Sequence, residues 1–151
     1  MGKLHLIFGV VIVIVFLLTG QYMDKYLNHM AGAPDGLRML YRTRHIFILM
    51  AGLLNLGMGA YVILHQQFWR RIFQLIGSGL IVVASLLFIA AFFYEPKLAD
   101  LHTPLSHWGT YLIMAGTLLH LFGGVGRVED TPQQDGGAGE HAFKCDHSAR
   151  E

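Results

Sequence analysis

The chain has 151 residues, of which 54% are apolar and 14% charged, with a formal net charge of +1. This length holds one ordinary domain, and the balance is that of a membrane protein. The basic residues sit at the edges of apolar runs, which leaves no basic face of the kind that nucleic-acid binding requires.

The first apolar run, "LHLIFGVVIVIVFLLT", needs a few more residues to match a hydrocarbon core of ~30 Å at 1.5 Å per residue, so the predicted span covers residues 4–22. Its β-branched middle would suit a strand in water. In lipid a lone strand leaves its backbone groups unpaired, and helix is the expected state. Lys3 and the apolar core resemble a secretory leader, but "TGQYMDKYLNH" offers no small-x-small cleavage site, and the segment is read as a retained helix. The loop that follows holds the turn signal "GAPDG", after which residues 37–43 are expected to form a short interfacial helix.

The second predicted span covers residues 45–65, the third 71–94 and the fourth 105–124. The tight link "QQFWRR" makes spans two and three antiparallel neighbours, with Trp69 and its arginines as an interfacial anchor. The third loop begins "EPKLADLHTP", with its proline just beyond the helix end. The expected fold is therefore an all-α integral membrane protein with four transmembrane helices in an up-down-up-down antiparallel bundle. Residues 1–126 form this domain, and the polar, glycine-rich residues 127–151 form a flexible tail. Cys145 is the only cysteine, so no disulfide and no CxxC pair is available. In the tail, His141, Cys145 and His147 are soft-metal ligand types, but their spacing matches no closed zinc pattern.

Four crossings place both termini on one side, here the tail side, and the first and third loops on the other, the loop side. Near the span ends, Lys3, Arg70, Arg71 and Arg127 stand against Lys25, Arg38, Arg42, Arg44 and Lys97, which does not decide orientation. The expected location is a bacterial inner membrane with both termini cytoplasmic.

Threading of this kind brings separate stretches to one rim. Gln21, Tyr22 and Asp24 leave span one there, Arg42, Arg44 and His45 enter span two, Tyr94 and Glu95 end span three, and His102 and His107 precede or open span four. Ionisable groups at membrane depth are costly unless paired, solvated or snorkelling. Glu95 with Arg42 or Arg44 is thus the natural ion pair, and His45 with His107 a candidate metal or haem pair. The same groups would also serve as plain headgroup anchors.

Helical phase sharpens the expectation for His45. Steps of three, four and seven place His45, Gly52, Asn55 and Gly59 on one small and polar stripe. Such residues belong at helix contacts, where Asn55 is expected to hydrogen-bond to Ser78, Ser85 or Thr117. In span four His120 shares a stripe with Gly109, Gly116 and Gly123, and His107 shares another with Thr110, Met114 and Thr117. The two histidines lie roughly 140° apart around the helix, so only one of them faces inward.

Histidines on neighbouring helices of a four-helix bundle suit haem b, with His45 and His107 or His120 as axial ligands and Arg42, Arg44 and Glu95 balancing propionates or a quinone headgroup. Against this stands the absence of catalytic signatures: no Gly-rich phosphate loop, no G-x-S-x-G elbow and no HExxH. The favoured expectation is a non-catalytic accessory or structural subunit of a larger membrane complex. Its partners would be the lipid bilayer and either other membrane subunits or a second copy of itself. A b-type cytochrome or quinone-interacting electron-transfer protein is the alternative.

Overall fold

The computed structural model describes residues 2–28, 31–61, 68–98 and 102–124. They form four α-helices, α1 (Gly2–Lys25), α2 (Asp35–Tyr61), α3 (Phe68–Tyr94) and α4 (Pro104–Gly124), with no strand among the described residues. Residues 62–67, with His65, and the tail with His141, Cys145 and His147 lie outside them.

Breakers set the helix ends. Gly32 adopts φ 78° in the turn before α2, a value glycine tolerates freely. The Arg38 amide then bonds the Pro34 carbonyl at 3.1 Å, and Asp35 opens the helix with its carboxylate 2.5 Å from Arg38. Nothing between Leu37 and His45 interrupts the run, so the short helix expected over residues 37–43 is continuous with the second predicted span. At the other end of the central pair, Pro96 cannot donate to a helix, and α3 tightens into a 3-10 turn, Glu95–Lys97, closed by the Leu98 amide on the Glu95 carbonyl at 3.1 Å. Pro104 begins α4, where its missing N–H costs nothing.

Sequential helices run antiparallel. Along α1 and α2 the facing pairs descend from Leu6 against Gly59, through Gly9 against Leu56, to Thr19 against His45. Along α3 and α4 they run from Gln74 against Gly123, through Gly77 against Gly116, to Glu95 against Ser106. Each hairpin closes over glycine. A Cβ on Gly59 would sit 2.5 Å from the Leu6 backbone nitrogen, and one on Gly77 2.7 Å from the Gly116 carbonyl oxygen. These backbones approach as only a missing side chain allows, the packing typical of membrane helices. Contact between α2 and α3 is lighter and relies on larger groups, Phe47 against Phe88 and Tyr41 against Phe92, with ring centroids 5.1 and 5.3 Å apart.

The interior is layered. An apolar core of Ile12, Ile48, Ala51, Ile81, Ala84, Phe88 and Ile113 holds Ser85 and Asn55 within it, and the other buried polar groups lie toward the two ends of the helices. Large apolar side chains face outward along the helices. Leu4, Ile7, Val11 and Leu18 on α1, Val83 and Leu86 on α3, and Leu118 and Phe122 on α4 are exposed. Two helical segments, Gly2–Lys25 and Phe68–Lys97, are long and apolar enough to cross a membrane.

Candidate functional site

A buried ion pair lies at the loop end of the bundle. Arg44, on the inward face of α2, sends Nε to Glu95 Oε2 at 2.6 Å. Glu95 is fully buried and Arg44 only 5% exposed, so neither charge is left to water. Two further bonds come from α4, where the Ser106 hydroxyl donates to Oε2 at 2.6 Å and the Ser106 amide to Oε1 at 2.8 Å. That amide belongs to the first turn of α4, which has no intrahelical acceptor. The carboxylate therefore caps the helix and meets the positive end of its dipole. Both carboxylate oxygens have partners, the condition under which a buried ion pair is tolerated.

His45 lies beside this cluster but belongs to the α1–α2 seam. Its ring stacks on Phe16 at 4.0 Å and 18°, and its Nδ1 is 3.0 Å from Thr19 Oγ1. The Thr19 hydroxyl hydrogen is already given to the Phe16 carbonyl at 2.9 Å. His45 is therefore the donor, which places its hydrogen on Nδ1. Gly20 leaves room for the ring, since a Cβ there would come within 3.3 Å of His45 Cε1.

A second cluster lies toward the tail end. Asn55 uses both amide hydrogens, one on the Ala51 carbonyl at 2.8 Å and one on Ser85 Oγ at 3.0 Å. Ser85 gives its own hydrogen to the Ile81 carbonyl at 2.8 Å. The backbone carbonyls thus fix the direction of the whole chain of bonds, and Asn55 Oδ1 is left as an acceptor facing His5 Nδ1 at 2.8 Å. His5 must carry its proton on Nδ1. Its Nε2 is fully buried and has no hydrogen-bond partner among the described residues. His120, on the inward stripe of α4, shares a hydrogen bond with Ser78 at 3.1 Å.

Several sequence expectations meet in this geometry. Of the two arginines weighed for Glu95, Arg44 is its partner, and Arg42 points outward and is exposed. The stripe of His45, Gly52, Asn55 and Gly59 is the face that α2 turns to α1, where Gly52 meets Ile12 and Val13. Ser85 is the Asn55 partner among the three considered, while Ser78 bonds His120 and Thr117 bonds back to the Ile113 carbonyl at 2.7 Å. On α4 the stripe of His120 with Gly109, Gly116 and Gly123 is the inward one, and His107 is exposed. The structure does not bring His45 and His107 together. Among the described residues no group of three or more His, Cys, Asp or Glu side chains is placed to share a metal ion.

Sequence reasoning passed over Ser106 and Thr19, and it counted His5 only among the tail-side histidines, with His65 and His120, that a haem would need. Pro104 at a helix start did signal free amides two residues later, and a capping acid was there to be sought. For Thr19 and His5 the only signal was register against α2, which depends on how the hairpin closes. Comparison with known protein families, curated proteins and solved structures finds no match to this chain.

Proposed function

We propose that this chain is a four-span integral membrane protein that serves as an accessory or structural subunit of a larger membrane complex, holding its place through a rigid, polar-pinned bundle. The observation that carries the reading is the inverted distribution of its side chains: Arg44, Glu95, Asn55 and His120 inside, and Leu, Ile, Val and Phe outside. If α1 crosses the bilayer, α2 crosses with it, because the two touch from Gly59 to His45. The same holds for α3 and α4. Both interior networks consist of hydrogen bonds that lock helices together, and neither presents an activated nucleophile or a general base to an open cleft. A bacterial inner membrane, with both termini on the cytoplasmic face, is the setting this reading implies.

Mild-detergent extraction from native membranes, followed by native electrophoresis and cross-linking, tests it. The chain should stay in the pellet through alkaline carbonate and migrate with a larger assembly. Consistent isolation as a lone monomer would overturn the subunit role.

A second reading, electron transfer through a bound haem or metal, draws on one observation, the buried Nε2 of His5, which has no hydrogen-bond partner among the described residues. A neutral imidazole whose Nδ1–H is held by an oxygen and whose Nε2 is bare is the form a metal ligand takes. Supplied with ample haem, the protein would show a Soret band that His5→Ala removes, and a spectrum without that band ends the haem version.

A further inference from the structure

One face of α2 remains unused by the bundle, and it changes character along its length. At the loop end a cavity of ≈ 280 Å³ is lined by Asp35, Arg38, Met39, Arg42, Thr43 and Ile46. Deeper along the helix an open apolar furrow of ≈ 600 Å³ runs between Met50, Leu53 and Leu54 of α2 and Met114, Thr117 and Leu118 of α4. Arg42, Ile46, Met50 and Leu53 follow one another at steps of four, four and three, so the cavity and the furrow lie end to end on one helical face. From Arg42 to Leu53 the rise is about 16 Å.

The charges divide in the same direction. Asp35 and Arg38 neutralise each other at 2.5 Å, whereas Arg42 is exposed and makes no ion pair among the described residues. Arg44, two residues on and turned to the opposite face, is consumed by Glu95. Arg42 is thus the surplus cation at the mouth of an apolar furrow. On the α4 wall the exposed His107 shares the stripe of Met114 two turns nearer the loop end, where the Trp108–Tyr111 pair marks the depth favoured by aromatic side chains.

We infer that this face is a binding site for one anionic glycerophospholipid, with its phosphodiester on Arg42 and an acyl chain laid in the α2–α4 furrow. A cation that merely snorkels needs no groove beneath it, and a groove for a neutral chain needs no cation above it. Their alignment over about 16 Å matches an amphiphile with a charged head and an apolar tail. The inference rests on the membrane reading above and names a partner for the loop-side rim.

The test uses the full chain in nanodiscs of phosphatidylcholine with a minor share of phosphatidylglycerol of the same acyl chains, released into native mass spectrometry. At about 1 kcal/mol for one basic side chain near the surface, the anionic lipid should be retained about fivefold over its share. Arg42→Gln should remove that preference, whereas Lys97→Gln, a cation on the same side but off this face, should leave it. Leu53→Trp, which fills the furrow, should lower retention of both lipids. Equal retention of the two lipids by the wild type overturns the proposal. So does an equal effect of Arg42→Gln and Lys97→Gln, which would mean attraction by the whole rim. Full competition by soluble glycerol phosphate would show a headgroup site without a chain, and a lipid-free dimer closed by Leu53→Trp would show a second copy in the furrow; either overturns it. Carbonate extraction separates the two layers of inference. A chain that stays inserted but shows no lipid preference refutes the site alone, and a chain released by carbonate refutes the membrane reading.

Discussion

The two polar clusters of the bundle answer the same problem in opposite ways. At the loop end the groups are charged, and every carboxylate oxygen is matched by Arg44 or Ser106. Toward the tail end the groups are neutral, and the chain of bonds through Ile81, Ser85, Asn55 and His5 stops at one unmatched nitrogen. A buried charge with an open valence costs several kcal/mol, so the ionic cluster has to be complete. A neutral polar nitrogen without a partner costs far less, about 1–3 kcal/mol, and a folded bundle can tolerate it. The loop-end cluster is built to hold helices, and the tail-end cluster is the one with a valence to offer.

The largest test of this contrast is Glu95→Leu. It strands the Arg44 guanidinium, which cannot shed its proton, and should cost about 3–5 kcal/mol, read as a lowered thermal midpoint in detergent. Arg44→Leu should cost less, since a stranded carboxyl can neutralise itself by taking a proton. The double variant should cost less than the sum of the two. If Arg44→Leu proves the worse of the single changes, the ionic cluster is not the pinned element described.

Glycine substitutions come next. Gly77→Ala pushes a methyl group into the Gly116 carbonyl and should cost about 1–3 kcal/mol. Gly79, two residues on, faces open space, and Gly79→Ala should instead gain roughly 0.5–1 kcal/mol of helix stability. Equal responses would mean that α3 and α4 are not in the close register seen here. In the neutral cluster Asn55→Leu should cost about 1–2 kcal/mol, the range for hydrogen bonds between membrane helices. Thr19→Val, which removes one bond to a half-buried His45, should cost about 0.6 kcal/mol in the same melts.

Much of this is legible in the sequence. Apolar run length, the proline after Glu95 and the 3.6-residue spacing of His45, Gly52, Asn55 and Gly59 are local properties, and helices appear where they point. Phase alone showed that His107 and His120 cannot both face inward. It could not say which does, because both stripes carry small or polar residues. The choice between Arg42 and Arg44 was equally closed to the sequence. The two lie ~200° apart on α2, and only the position of α3 decides which of them meets Glu95.

What the chain determined by itself was the set of helices and their buried stripes, because backbone hydrogen bonding and side-chain periodicity act within each segment. The tertiary structure alone decided which stripes meet, and with that the Glu95 cap on Ser106, the proton on His5 Nδ1, its bare Nε2, and the furrow left open between α2 and α4. A hydrogen bond needs its partner within about 3 Å, and that distance is set by how two hairpins pack, which no single segment encodes.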